Sequence, residues 1–187
     1  MPLLPTMPSR SSLALMGCFY TSLAVLSACS PQEVLFCREG DCSERVIQEV
    51  ELATQSVHVA VYAFTNTDIA ASLVQAAARP GVEVLVLTEE TQTTSDAAQV
   101  VLRTLKEGGI TPRLAFKSDC SCGSQSGIMH HKFTVIDGQR VLNGSYNYSC
   151  TATYCSDENI VTSRDAQLAE SFEAEFRYLY ENGEPAL

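Results

Sequence analysis

The chain reads as an α/β domain in which a mixed, largely parallel sheet is flanked by helices. Three observations predict it. Short β-branched runs alternate with amphipathic stretches of helix length. Turn residues separate the two kinds of segment. With 45% hydrophobic residues in 187, there is enough apolar side chain for one ordinary core.

The elements follow in order. Glu33–Cys37 (EVLFC) predicts a short buried strand. Ser43 is a candidate N-cap for a helix over 44–55, where Val46, Ile47, Val50 and Ala53 share a face. Val57–Phe64 is a β-branched, aromatic strand, and Asn66-Thr67 opens a helix through Arg79. Pro80-Gly81 stops it, and Val82–Leu87 is the next strand. Ser95 caps a helix to about Lys106, Gly108-Gly109 ends it, and Ile110–Ala115 predicts a strand. Residues 116–127 break the alternation as a polar Gly/Ser loop. Met129–Ile136, the turn Asp137-Gly138 and Arg140–Asn143 read as a hairpin. Asp157–Thr162 predicts one more strand. Asp165–Tyr180 closes the domain as a helix with Leu168, Phe172, Phe176 and Leu179 at helical spacing.

Residues 1–28 stand apart from the fold. Arg10 is their only charge, and the apolar run Leu13–Ala28 follows it, the pattern of a secretory signal. The run ends in Leu26-Ser27-Ala28-Cys29, which resembles a bacterial lipobox with Cys29 as the lipidated residue. The expectation is a signal peptide at 1–28, one folded domain at 29–187, and export to the cell envelope on a lipid anchor. A plain secreted form and an uncleaved anchor are the alternatives. Six further cysteines remain: Cys37, Cys42, Cys120, Cys122, Cys150 and Cys155. In an exported domain they are disulfide candidates, and the sequence does not choose a pairing. A thiolate metal site is the weaker reading.

Lys+Arg 12 against Asp+Glu 22 gives a net charge of -10, which disfavours a general nucleic-acid coat protein. Arg113, Lys117, Lys132 and Arg140 are the candidates for a local basic cleft.

The stretch that carries chemistry is Met129–Asn147. Residues two apart on a strand face the same way, so His130 and Lys132 project together, as do Ser145 and Asn147. A hairpin gathers the four, and Glu158 arrives from the next segment. An imidazole beside a cation and amide donors suits attack on phosphorus. Three histidines, two of them adjacent, make a poor zinc site, so no metal or other cofactor is expected.

H-x-K-x4-D is met by His130, Lys132 and Asp137, and G-S-x-N by Gly144, Ser145 and Asn147. Together they resemble the HKD signature of the phospholipase D superfamily. The likeness is greatest to small single-motif members, which include a bacterial periplasmic endonuclease and the mitochondrial cardiolipin hydrolase also called Zucchini. EVLF at 33–36 and VYAFTN at 61–66 resemble the family's first two strands. The resemblance implies a phospholipase D-like sandwich and a metal-independent phosphodiesterase with His130 as nucleophile. One motif per chain implies a homodimer that brings two His130 side chains together. Lys132, Ser145 and Asn147 would hold the phosphate, Glu158 would orient the imidazole and favour its cation, and Asp137 would brace the hairpin. The implied substrate is a phospholipid head group, with single-stranded nucleic acid as the rival and a non-catalytic envelope protein as a third reading. Disulfides among Cys120, Cys122, Cys150 and Cys155 would brace the rim of the site.

Overall fold

The computed structural model describes residues 32–38, 41–115 and 127–186. The signal segment, Cys29, Lys117, Cys120 and Cys122 lie outside them. Eight strands form a single sheet in the order β1-β7-β6-β5-β2-β3-β4-β8. The strands are β1 (Gln32–Phe36), β2 (Ser56–Val61), β3 (Glu83–Thr88), β4 (Arg113–Leu114), β5 (Lys132–Ile136), β6 (Arg140–Gly144), β7 (Asn159–Ser163) and β8 (Glu184–Pro185). The helices are α1 (Cys42–Glu51), α2 (Thr67–Ala77), α3 (Asp96–Glu107), α4 (Cys150–Tyr154) and α5 (Ala166–Asn182), and a 3-10 turn spans Glu90–Gln92.

The sheet is mixed and flanked by helices, as expected, but it is not largely parallel. Only β2–β3 and β3–β4 run parallel, while β2–β5, β5–β6, β6–β7, β1–β7 and β4–β8 run antiparallel. Helical crossovers impose parallel pairing only around α2 and α3. The tight turn at Asp137-Gly138 reverses the chain instead.

Alternation along β2 builds two cores. Val57, Val59 and Val61 face α1, α2 and α3, where Val46, Val50, Ile69, Leu73, Val101 and Leu105 complete the larger one. Ala60 faces α5 with Leu87, Phe133, Val135, Val141 and Phe176. His58, on the α5 side, is buried and stacked on Phe176 at 4.9 Å. Its Nδ1 and Nε2 lie 2.8 Å and 3.0 Å from Glu173 and Glu83.

Asn66, Ser95 and Asp165 cap α2, α3 and α5. Asp41, not Ser43, caps α1, accepting from the Glu44 N–H at 3.1 Å. Ser43 is buried, and its hydroxyl accepts from Asn66 Nδ2 instead. β1 is an edge strand rather than a buried one: it pairs only with β7, and Val34 and Phe36 are exposed. The strand expected over 110–115 shrinks to Arg113–Leu114. Ile110 N–H still closes on the Leu105 carbonyl at the end of α3, and Pro112 has no N–H to give a ladder. Cys37 and Cys42 form a disulfide between β1 and α1. Cys150 and Cys155, at the two ends of α4, are free and exposed. The disulfide among the described residues thus ties β1 to α1, beside Glu158, whose carbonyl accepts from Cys37 N–H at 2.9 Å, and it does not involve Cys150 or Cys155.

Candidate active site

The register gathers the end of β2, the start of β5, the end of β6 and the start of β7 at one end of four neighbouring strands. Val61 pairs with Lys132, Phe133 with Asn143, and Gly144 with Ile160. β5 begins at Lys132, so His130 stands just outside the ladder, exposed.

Lys132 Nζ lies 3.3 Å from His130 Nδ1 and donates to the His130 carbonyl at 2.7 Å. The i, i+2 reading therefore placed the two together correctly. The Tyr62 ring packs against His130 at 4.5 Å between centroids, and Lys132 Nζ sits 4.9 Å from its centre. Burial, then the charges of Lys132 and His131, lower the His130 pKa. That favours the neutral, nucleophilic imidazole. Burial also lowers the Lys132 pKa, and the charge of Glu158 works against it.

Alternation explains the G-S-Y-N-Y segment. Tyr146 and Tyr148 are buried, with hydroxyls on Thr153 at 2.6 Å and Thr134 at 2.5 Å. Burial raises the pKa of both tyrosines. Ser145 and Asn147 take the opposite, accessible side. Ser145 Oγ accepts from Asn159 N–H at 3.1 Å, which leaves its O–H to donate. Asn147 Oδ1 accepts from Ala63 N–H at 3.3 Å, which directs its amide NH2 elsewhere. The Tyr148 carbonyl accepts from Thr65 and Asn66 N–H at 2.7 Å and 2.9 Å, binding this segment to the end of β2.

Asp137 braces the hairpin as expected, and Glu158 acts on a different partner from the one expected. Asp137 lies at the far end of β5 from Lys132, about 16 Å along the strand. There it holds a left-handed turn (φ 54°) and accepts from the N–H groups of Thr54, Gln55 and Ser56 at 2.7–3.1 Å. It is a brace, not a member of the reactive cluster. Glu158 enters the cluster's electrostatics through Lys132, and His130 is shifted away from its cation rather than toward it. A cavity of about 220 Å3 opens beside Glu158, lined by Phe36, Arg38, Asp157 and Asn159. Lys117 lies outside the described residues, and of the other cleft candidates Arg113 and Arg140 do not join Lys132. Arg140 pairs with Glu49 at 3.3 Å near Asp137, and Arg113 donates to the Gly183 carbonyl beneath Tyr180. His131 meets Glu175 at 3.3 Å, away from Lys132.

The residues that sequence reasoning missed are Tyr62, Met129 and Glu89. Tyr62 lies within VYAFTN, but nothing in that string marks its ring as the imidazole's neighbour. Met129 is buried, and its N–H donates to the buried Glu89 at 2.8 Å. Among the described residues no group of three or more His, Cys, Asp or Glu is arranged to hold a metal ion.

The family description "cardiolipin synthase, PLD-like domain" matches residues 46–180, which span every member of this cluster. The chain belongs to that phospholipase D-like family. It is 32% identical over 134 residues to a mitochondrial cardiolipin hydrolase of Xenopus tropicalis, covering 72% of this chain and 59% of that protein. It is 28% identical over 153 residues to a phospholipase D of Rickettsia prowazekii, covering 82% and 69%. The chain spans only 58% of the cardiolipin hydrolase of Danio rerio, at 28% identity over 76% of its own length. Among solved structures, Nuc from Salmonella typhimurium, a phospholipase D family member, superposes with a TM-score of 0.74. It is 28% identical, and the match covers 83% of this chain and 97% of that one. NucT from Helicobacter pylori shares the fold at a TM-score of 0.73 and 22% identity, covering 83% and 98%.

Proposed function

We propose that this phospholipase D-like chain is a metal-independent phosphodiesterase acting through a phosphohistidine on His130. The observation that carries the reading is the exposed imidazole 3.3 Å from the Lys132 ammonium, at the end of the sheet where Ser145 and Asn147 take the accessible side. An imidazole nitrogen attacks phosphorus, and the P–N bond forms as the bond to the leaving oxygen breaks. Lys132, the Ser145 hydroxyl and the Asn147 amide donate to the non-bridging oxygens as their charge grows. The leaving oxygen takes its proton from a second His130, supplied by another copy of the chain in a homodimer. That histidine then removes a proton from water, which attacks phosphorus and releases the first imidazole. Glu158 supports the site by holding Lys132 in its charged form.

The substrate that fits best is a phospholipid, cleaved at the head group to phosphatidic acid. The acidic chain, the absence of Arg113 and Arg140 from the cluster, and the names of the cardiolipin hydrolase and phospholipase D relatives all favour it. Export through residues 1–28 and lipidation at Cys29 would hold the enzyme on a membrane of the bacterial envelope. Among the described residues no helix is long and apolar enough to cross a membrane. An exported nuclease is the second reading, favoured by likeness over 97% of the length of Nuc.

The deciding experiment incubates the protein in EDTA with phospholipid vesicles or single-stranded nucleic acid, beside His130→Ala. Phosphatidic acid release that survives EDTA and vanishes in the variant is expected. Nucleic-acid cleavage alone would transfer the assignment to a nuclease. Loss in EDTA, or full activity in His130→Ala, would refute the mechanism.

A further inference from the structure

His130 lies outside the ladder, so neither strand pairing nor burial of its own ring fixes it. Hydrogen bonds on either side do. On the carboxyl side, Tyr62 N–H donates to the His131 carbonyl at 2.8 Å. On the amino side, Met129 N–H donates to Glu89 Oε2 at 2.8 Å. Glu89 follows directly on β3 and is 1% exposed. Its other oxygen accepts from Thr91 N–H at 3.4 Å and from the Thr91 hydroxyl at 3.3 Å. Gln92 Nε2 then reaches the Tyr62 hydroxyl at 2.8 Å, and the Tyr62 ring is the one packed on His130. The end of β3 thus holds the backbone before the imidazole and, through Gln92, the ring beside it. Burying a carboxylate costs free energy unless its hydrogen bonds recover the cost. Glu89 places that carboxylate one residue from the nucleophile.

We infer that Glu89 is a positioning residue for the reaction, fixing His130 in its attack geometry through the Met129 backbone. This rests on His130 being the nucleophile. It predicts a loss in the chemical step with little loss in phosphate binding, because Lys132, Ser145 and Asn147 are held by other elements. Misplacing a reacting group by about 1 Å costs on the order of 10²-fold in rate.

The test uses the full chain, bis(p-nitrophenyl) phosphate as a substrate common to lipid and nucleic-acid enzymes, and alkaline-quenched detection of phosphohistidine. Glu89→Ala, which leaves Met129 N–H unpaired, should lower kcat and the rate of phosphohistidine formation by about 10²-fold, with KM within about twofold. Glu89→Gln keeps one acceptor oxygen for Met129 and should lose about three- to tenfold, between wild type and alanine. Val101→Ala, in the core under α3, is the comparator for general destabilisation and should leave kcat unchanged. Wild-type kcat in Glu89→Ala, or a loss matched by Val101→Ala at equal stability, would overturn the inference. If Glu89→Ala does not fold, Glu89→Gln decides, and wild-type kcat there overturns it. Activity retained in His130→Ala would instead remove the reading on which the inference rests, whatever Glu89 does.

Discussion

Gly144 opens the G-S-x-N segment, and its place between β6 and β7 explains why no side chain is accommodated there. A Cβ at this position would lie 2.2 Å from the Asn159 carbonyl oxygen, 2.8 Å from Asn159 Oδ1 and 3.0 Å from the Asn159 carbonyl carbon. Carbon–oxygen contacts settle at about 3.3–3.6 Å, so Gly144→Ala must push β7 away by about 1 Å. Gly144 does not have a positive φ, so the penalty comes from contact and not from backbone preference. The same displacement stretches Ser145 N–H to Asn159 O, now 3.2 Å, and Asn159 N–H to Ser145 Oγ, now 3.1 Å, beyond hydrogen-bonding range. Two lost hydrogen bonds at about 1 kcal/mol each and overpacking strain of about 1–3 kcal/mol give about 3–5 kcal/mol. For a domain of this size that lowers Tm by about 6–20 °C. Ser145 moves with the strand, so kcat/KM should fall by about 10²-fold in whatever fraction remains folded. Thermal unfolding followed by circular dichroism, with diester hydrolysis measured well below Tm, checks both. A variant with Tm within about 1 °C and activity within about twofold of wild type would refute the reasoning.

Lys132→Gln should lower kcat/KM by about 10²–10³-fold by removing a donor to the phosphoryl oxygens. It also removes a charge that lowers the His130 pKa, so the acid limb of the kcat/KM profile should move to higher pH; an unmoved limb would contradict that coupling. For Asp137, burial pushes the carboxyl pKa up, but N–H groups of Ser56, Gln55 and Thr54 and the Thr54 hydroxyl outweigh it and hold the pKa low. Its stabilisation is therefore full above the unfolded carboxyl pKa and is lost as pH falls through the lower folded value. Asp137→Asn, tolerant of the left-handed turn, should cost about 1–3 kcal/mol at neutral pH in urea unfolding, with a gap that closes in acid and kcat unchanged.

Much of the helical layer was legible because caps and periodicity are local. Asn66, Ser95 and Asp165 each precede an apolar stripe of the right spacing, and each accepts from the first-turn N–H groups of its helix. Ser43 misled because Asp41, two residues earlier, was equally able to cap, and only the tertiary bond to Asn66 shows where the serine hydroxyl goes. Strand direction was not local. The alternation of strands and helices implies parallel neighbours, whereas β1 returns from the far end of the sequence to lie antiparallel on β7. In the site, His130 with Lys132 and Ser145 with Asn147 were legible through the period of two, because each pair belongs to one segment. Glu89 and Tyr62 were not, since they reach His130 from β3 and β2 across the sheet. Arg113 and Arg140 did not join Lys132 for the same reason: nearness in sequence does not fix position in the sheet, and they lie on β4 and at the far end of β6.

The net charge of -10 and the phosphate-binding role proposed for the cluster are compatible once their ranges are compared. At physiological ionic strength charges are screened over about 8 Å, so the reacting phosphorus responds to groups in contact with it. In the proposed site those would be the Lys132 ammonium, the Ser145 hydroxyl and the Asn147 amide. The rest of the acidic surface acts on whatever else the substrate brings. A nucleic acid brings a row of further phosphates, each of which must approach that surface without the counter-charge of Arg113 or Arg140, both committed to partners elsewhere. A phospholipid brings one reacting phosphate per cleavage, with its acyl chains held in the bilayer rather than a row of further phosphates along the same chain. On the proposed reading the same surface charge weighs more against the polymer than against a single lipid phosphate. If His130 and Lys132 act on phosphorus as proposed, the placement of Arg113 and Arg140, more than the number of cations, favours a single phosphodiester over a polyanion.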